Sequence, residues 1–544
     1  MAALTSQPRA SQAGDMLEMT AHVKETGVVT VETDLESEEP ANGFKSTNID
    51  AADMQRMGKD QQLMRHFRIL SMASFVAIAT ATWEMGLFAI TPGLLNGGLP
   101  GLVYSVLWSF LGFGPIYLSM AEMASMAPIA GAQYHWVSEF APESLQRGLS
   151  YLTGWTSTMA WQAGNALGVF LVGTTIQCII SLYNVDYTFP AWHATLMSIG
   201  AVCIAFCGNV YGHKVLHLWQ NVVFAIHILA YFGLIIPIWV NAPRASTKQV
   251  FTEFSNRGGW SSTGLAVLAG QITGIGSQLG IDTAGHMAEE VKNASRAVPK
   301  VMISVWIINF CLMFPALITV VYHIPNIDDA FADPTTFPLI YVLRQSMSNT
   351  WLTVLLTVMV ALILCSNMSY LAAVTRDIWS FARDQGFPFS DWIGRVDEKR
   401  HIPVNAVIVT SCCSIGLSLI YIGSPVAFYA IVSLLAVALL QCYCLSIGCI
   451  LWRRIVHPET LPPARFSLGK LGIPLNILAI CFALWSFFWA FWPTTTPVTA
   501  AGFNWASVLF TATLVVAGAY YAIKGRQKYF GPVVHVEGRK VHPS

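Results

Sequence analysis

Gly264-Leu-Ala-Val-Leu-Ala-Gly270-Gln-Ile-Thr-Gly274-Ile-Gly276-Ser-Gln-Leu-Gly280-Ile-Asp282-Thr-Ala-Gly285-His286-Met-Ala-Glu289-Glu290-Val-Lys292-Asn-Ala-Ser-Arg296-Ala-Val-Pro299-Lys300 is the stretch on which the fold turns. It is apolar enough for hydrocarbon, yet Gly270, Gly274, Gly276, Gly280 and Gly285 weaken helical continuity and one acid, Asp282, lies among them. Backbone groups at membrane depth go unpaired only where they line a protein cavity, so the pattern reads as a broken transmembrane helix. Discontinuous helices of this kind build the midplane substrate sites of secondary transporters.

The rest of the chain fits a membrane class. Of the 544 residues 54% are hydrophobic and 11% charged, and the mean hydropathy is +0.54, outside the balance of a soluble domain. Formal net charge is zero and the basic residues are spread over short loops, which gives no basis for nucleic-acid binding. All eleven cysteines fall within apolar segments without a zinc spacing or a disulfide framework, and they read as small buried side chains. No phosphate loop, nucleophile elbow or histidine-rich box points to an enzyme, a cofactor or a metal.

From Phe67 onward we read twelve apolar segments, with cores near 69–95, 99–126, 150–182, 190–210, 215–241, 262–288, 300–322, 351–375, 404–422, 425–451, 472–492 and 501–523. Each approaches the roughly 20 residues that a helix needs to cross the hydrocarbon. Residues 1–64 are polar and acidic and read as a disordered cytosolic tail, 65–525 as one all-α membrane domain, and 526–544 as a second cytosolic tail. Lysine and arginine concentrate in the loops on the side of the N-terminus, from Arg65 and Arg68 through Arg376, Arg383, Arg453 and Arg454 to Lys528, so both termini are expected in the cytosol.

Acids inside hydrocarbon usually face a cavity and mark a substrate or ion path. Asp282 lies ten residues before Lys292, roughly 15 Å from the edge of its span, and Glu84 lies sixteen residues beyond Arg68, roughly 24 Å along the first span. Around Glu84 the run Ala79-Thr-Ala-Thr82-Trp83-Glu84-Met85-Gly86 interrupts an apolar segment, and Pro92-Gly93 follows. The first and sixth spans hold corresponding positions if the chain comprises two five-helix halves, as in an inverted repeat. Glu122, Glu289 and Glu290 lie at cytosolic helix ends, where salt bridges to Lys292 or Arg296 or gate contacts are expected. In the third span Trp161 and Asn165 repeat near helical spacing, and Trp83 with Phe428 and Tyr429 of the tenth span would form an aromatic cage for an ammonium group. His227 in the fifth span is a candidate proton carrier beside Asp282 and Glu84, because imidazole titrates near neutral pH.

Several motifs together resemble the fungal amino acid/choline transporter family, with its choline and GABA permeases, within the amino acid-polyamine-organocation superfamily. They are Gly280-Ile-Asp282 through Pro299, Asn96-Gly-Gly98, Met120-Ala-Glu122 through Trp136, Ser150-Tyr-Leu-Thr-Gly154-Trp155, and Thr375-Arg376-Asp377 followed by Ala382-Arg383-Asp384 and Pro403-Val-Asn405. The resemblance covers about 65–525. It implies a five-plus-five inverted repeat with two extra C-terminal helices and alternating access around a central site. By position it sets Thr82, Trp83, Glu84 and Met85 at the first break and Gly280, Ile281 and Asp282 at the sixth. Ala132 stands where the family often has glycine, and the fifth span lacks the lysine that some proton-coupled relatives use.

The expected activity is proton-coupled transport of a small amine-containing solute, an amino acid, choline or a GABA-like compound, through the plasma membrane or an internal one such as the vacuole. A carrier of an amine or alkaloid intermediate of specialised metabolism and a transporter-like nutrient sensor are the alternatives.

Overall fold

A computed structural model of the chain describes residues 47–500 and 502–532, with backbone alone at 48 and 425–432. Among the described residues eleven helices are long and apolar enough to cross a membrane. We number the spans by the twelve segments read from the sequence. Span 1 is Ile69–Leu95, span 2 Gly98–Met126, span 3 Glu143–Ser181, span 4 Ala191–Tyr211 and span 5 His213–Asn241. Span 7 is Ala294–Tyr322, span 8 Asn349–Arg383 and span 9 Val404–Gly423. Span 10 is Pro425–Val456, span 11 Gly472–Trp489 and span 12 Ala506–Lys528.

The difference from twelve is the sixth segment, which forms no long helix. It divides into Thr263–Gly270, Ile272–Gly276, an irregular stretch over 277–282 and the turn Thr283–His286. Gly280 sits at φ +102°, a conformation that side-chain-bearing L residues rarely adopt, so the helix cannot run through it. Span 1 breaks as well, between Ile69–Thr80 and Thr82–Phe88, with Ala81 left-handed at φ 39°. There the Thr80 hydroxyl bonds back to the carbonyls of Val76 and Ala77, each at 3.0 Å, a competition that bends helices. Ser366 of span 8 donates to the carbonyl of Ala79 at 3.0 Å and so satisfies a group that the break releases.

Packing follows the pattern of two five-helix halves. Spans 1 and 6, 2 and 7, 3 and 8, and 4 and 9 touch, each helix meeting its counterpart five places on. The apolar core comprises two large clusters. One includes Met72, Phe75, Phe113, Trp161, Val305 and Ala372, towards the face where span 1 begins. The other includes Trp83, Leu102, Val169, Met313 and Ile363, towards the opposite face. Between them along the chain lie Thr80, Ser109, Asn165, Asn309 and Ser366, a polar layer at the level of the breaks.

The expected disordered tail differs from the structure over its described part. Residues 47–64 contain the helix Asn48–Arg56 and are tied to the face where span 1 begins; residues 1–46 lie outside the described residues. Buried Asp50 accepts the amides of Asn293 and Ala294 at 2.9 and 3.0 Å, placing a carboxylate on the N-terminus of span 7, and Arg65 lies 3.5 Å away. Arg65 also donates to the carbonyls of Ala288 and Val291, Arg56 to that of Met126, and Lys59 pairs with Asp384. Polar residues of 47–64 thus supply a helix cap, through Asp50, and ion pairs, through Arg65 and Lys59. The described start of the second tail is held too: Arg147 donates to the carbonyls of Arg526 and Tyr529, and the Tyr529 hydroxyl meets Ser150 at 2.8 Å.

Candidate functional site

The two breaks meet. A Cβ added at Gly280 would lie 3.5 Å from Cγ2 of Thr80, and Asn309 of span 7 donates to the Thr80 hydroxyl at 2.9 Å. Just beyond the first break the turn Thr82–Phe88 carries Trp83 and Glu84 inward, where both are buried. Span 5 brings His227 to them. The Trp83 indole Nε1 donates to His227 Nε2 at 3.1 Å, and His227 Nδ1 lies 2.6 Å from Glu84 Oε1.

That geometry fixes the histidine tautomer. An indole N–H only donates, so Nε2 must accept and the imidazole proton must sit on Nδ1, from which it is donated to Glu84. The second carboxylate oxygen of Glu84, Oε2, is buried with no hydrogen-bond partner among the described residues. A buried carboxylate oxygen left unsatisfied is costly, and a cationic group supplied from outside the chain would satisfy it. Tyr231, 5.9 Å from Trp83 between ring centroids, and His227, at 5.4 Å, are the aromatic neighbours of that indole. The side chains of Phe428 and Tyr429, the cage partners expected from the sequence, lie outside the described residues.

Asp282, at the second break, has both oxygens engaged. Gln133 donates to Oδ2 at 2.5 Å and the Tyr443 hydroxyl to Oδ1 at 2.8 Å. Tyr117 of span 2 bonds the carbonyl of Gln278, holding the irregular stretch in place. Among the described residues the amide of Gly280 donates to no backbone carbonyl, while that of Ile281 meets the Tyr117 hydroxyl, so the break leaves the Gly280 amide for another partner.

Trp161 is fully buried, with its ring edge-on to His286 at 5.0 Å and tilted against Tyr370 at 4.9 Å. Asn165 donates to Ser414 of span 9 at 2.7 Å. Thr82 is buried, Met85 is partly buried against the far-face cluster, and Ile281 packs into the other cluster. The structure therefore joins Trp83, Glu84 and His227 directly and keeps Asp282 in a separate hydrogen-bonded group. Gln133, Tyr443 and His286 were not selected from the sequence. Two of them lie in the quoted motifs, His286 one turn after Asp282, and only the folded chain shows which polar member of a motif turns inward.

The acids at helix ends do form ion pairs, but with span 8 and span 10 arginines instead of Lys292 or Arg296. Glu289 takes a two-pronged contact from Arg383 at 2.9 and 3.0 Å, Glu290 pairs with Arg376 at 2.6 Å, and Glu122 pairs with Arg454. These buried pairs link span 6 to span 8 and span 2 to span 10 on the face where span 1 begins.

A family model described as amino acid permease matches residues 70–515, which hold the site residues just described. The chain belongs to the amino acid permease family. This permease is 27% identical to a Macrophomina phaseolina protein carrying a provisional amino acid/polyamine transporter name, over 80% of this chain and 97% of that protein. It is 25% identical to the choline transporter of Saccharomyces cerevisiae over 90% and 86% of the two chains. It is 26% identical to the GABA-specific permease of the same yeast over 90% and 87%. The expected class of multi-pass membrane transporter of amine solutes, with an all-helical fold, agrees with these relatives.

Proposed function

We propose that this permease is a secondary active transporter of a small amine-bearing solute, an amino acid, choline or a GABA-like compound, which works by alternating access and is driven by protons. One observation carries the reading: Glu84 offers a buried carboxylate oxygen with no partner among the described residues, next to the first break and held in place by His227. An ammonium group is the complement of that oxygen, and the Trp83 face beside it favours a cation. A substrate carboxylate, where there is one, would go to the free amide of Gly280 at the second break. The names of the relatives, which cover choline, GABA and amino acids, support the same solute class.

Alternating access is supported by the breaks in spans 1 and 6 and by the buried ion pairs at one face, which must part for the site to open there. The lysine and arginine bias supports assigning that face to the cytosol, with both termini inside and the plasma membrane as the location. Among the proton-coupling candidates Glu84, His227 and Asp282, the first is committed to the ammonium in this reading. The test is uptake of labelled choline, GABA and a panel of amino acids in yeast lacking its own permeases, at two external pH values. Saturable uptake of one class that rises at acid pH is expected. Absence of uptake of every compound by protein shown to be at the surface refutes the reading.

A further inference from the structure

Towards the face where span 1 begins, below Asp282, spans 3, 6 and 8 enclose two titratable groups that the substrate reading leaves unused. His286 and Asp377 are both fully buried, with His286 Nδ1 3.6 Å from Asp377 Oδ1. His286 Nδ1 lies 2.9 Å from the carbonyl of Ala130, so the ring donates there and its proton is on Nδ1. Its other nitrogen, Nε2, is buried without a hydrogen-bond partner among the described residues. Asp377 accepts the hydroxyls of Ser157 at 3.0 Å and Thr158 at 2.8 Å, one on each oxygen.

The identity of those partners sets Asp377 apart from the other buried acids. Glu289 and Glu290 face guanidinium groups, which stay charged and hold a carboxylate in one state. A hydroxyl both donates and accepts, so Ser157 and Thr158 serve an ionised Asp377 as donors and a protonated one as acceptors, by rotation alone. A buried acid with two such partners can gain and lose a proton without stranding a polar group, and the histidine with one vacant nitrogen lies beside it. Intramembrane chains of acid and histidine serve as proton relays in pumps and transporters. Resting on the proton-driven reading above, we propose that the coupling proton of this permease is carried by the His286–Asp377 pair, separately from the ammonium site at Glu84.

Other charged and titratable groups face the pair from each packed element. Span 6 contributes Asp282, within electrostatic reach of His286. Span 8 contributes Tyr370 and, next in sequence, Arg376, whose guanidinium is taken by Glu290 and Thr375. Span 10 contributes Cys442 and, through Asp282, Tyr443. Span 3 contributes the two hydroxyls and Trp161. One proton bound to the pair neutralises Asp377 while the site faces one side. Separation of spans 6 and 8 at the Glu289–Arg383 and Glu290–Arg376 contacts would expose the pair to the other side and release that same proton. The carrier is thereby tied to the parting of the two spans that the ion pairs join.

The experiment uses the purified full chain in liposomes, with labelled choline or GABA, whichever the wild type accumulates, and two assays. One is accumulation driven by an imposed pH gradient; the other is exchange of labelled for unlabelled solute at equal pH, which needs no net proton movement. Asp377→Asn is expected to lose gradient-driven accumulation at least tenfold while retaining exchange. His286→Gln is expected to retain exchange and shift the pH of half-maximal accumulation by about one unit or more. Gradient-driven accumulation by Asp377→Asn at the wild-type level overturns the proposal, and so does loss of exchange along with it. If Asp377→Asn does not fold, His286→Gln decides, and an unchanged pH profile overturns the proposal. Wild-type protein that exchanges solute but gains nothing from a pH gradient refutes the proton-driven reading itself, a result distinct from either variant's.

Discussion

Replacing Glu84 by glutamine changes one atom and removes the charge on which the substrate reading depends. The bond to His227 survives, since the amide oxygen of glutamine can still accept from Nδ1–H, and the loss there is about 1 kcal/mol as a charge-assisted bond becomes a neutral one. Folding and delivery to the membrane are therefore expected to persist. Binding differs, because a buried ammonium then meets an amide in place of a carboxylate. Leaving one partner of a buried ion pair uncompensated costs about 3–5 kcal/mol. At about 1.4 kcal/mol per decade, apparent affinity for a cationic solute should fall by roughly a hundredfold to several thousandfold. The assay is concentration-dependent uptake of the solute that the wild type accepts, with surface protein measured in parallel. A change of less than about tenfold at equal surface expression would show that Glu84 does not hold the ammonium, and its unpaired oxygen would then need another explanation.

Three further outcomes follow from the same contacts. His227→Gln removes the ring that orients Glu84 and bonds Trp83, so KM is expected to rise roughly tenfold, equivalent to about 1.4 kcal/mol, while the pH profile of uptake stays unchanged; an altered profile would assign the proton to His227. Arg376→Ala leaves Glu290 buried and alone and should lower stability by about 3–5 kcal/mol, visible as earlier thermal aggregation in detergent, with part recovered in the double variant Arg376→Ala/Glu290→Ala; equal losses in both would deny the coupling. For Asp384, burial alone would raise the carboxyl, but Lys59 and Arg383 hold it below its ordinary value. A depressed folded value means that its contribution to docking residues 47–64 is fully present above the unfolded value of about 3.9 and is lost as pH falls through the lower folded value. Protease cleavage within 47–64 should thus stay flat from neutral pH down to about 4 and rise only below it. A rise already near pH 6 would refute that account.

What could be seen in the sequence was local. Glycines at 270, 274, 276, 280 and 285 are enough to break span 6, because a helix stops wherever the backbone needs φ above zero, and Gly280 has it. The lone acids Glu84 and Asp282 stand out because charge in an apolar run is costly wherever its partner lies. Partners are another matter. Glu84 and His227 are 143 residues apart, Gln133 and Asp282 149, Arg376 and Glu290 86. Spacing along the chain says nothing about pairs that form only when spans 1, 5, 6, 8 and the 132–140 helix meet, which is why Lys292 and Arg296 were natural but mistaken partners for Glu289 and Glu290. The same limit explains Asp377. In sequence it follows Thr375-Arg376 at a helix end and carries no sign of its partners, whereas span 3 closes over it with two hydroxyls and span 6 sets a histidine beside it. Its charged neighbour in sequence, Arg376, turns away to Glu290, so adjacency on the helix misleads and packing decides. A group so enclosed is constrained by three spans at once, and any motion that parts spans 6 and 8 must also change what its proton can reach.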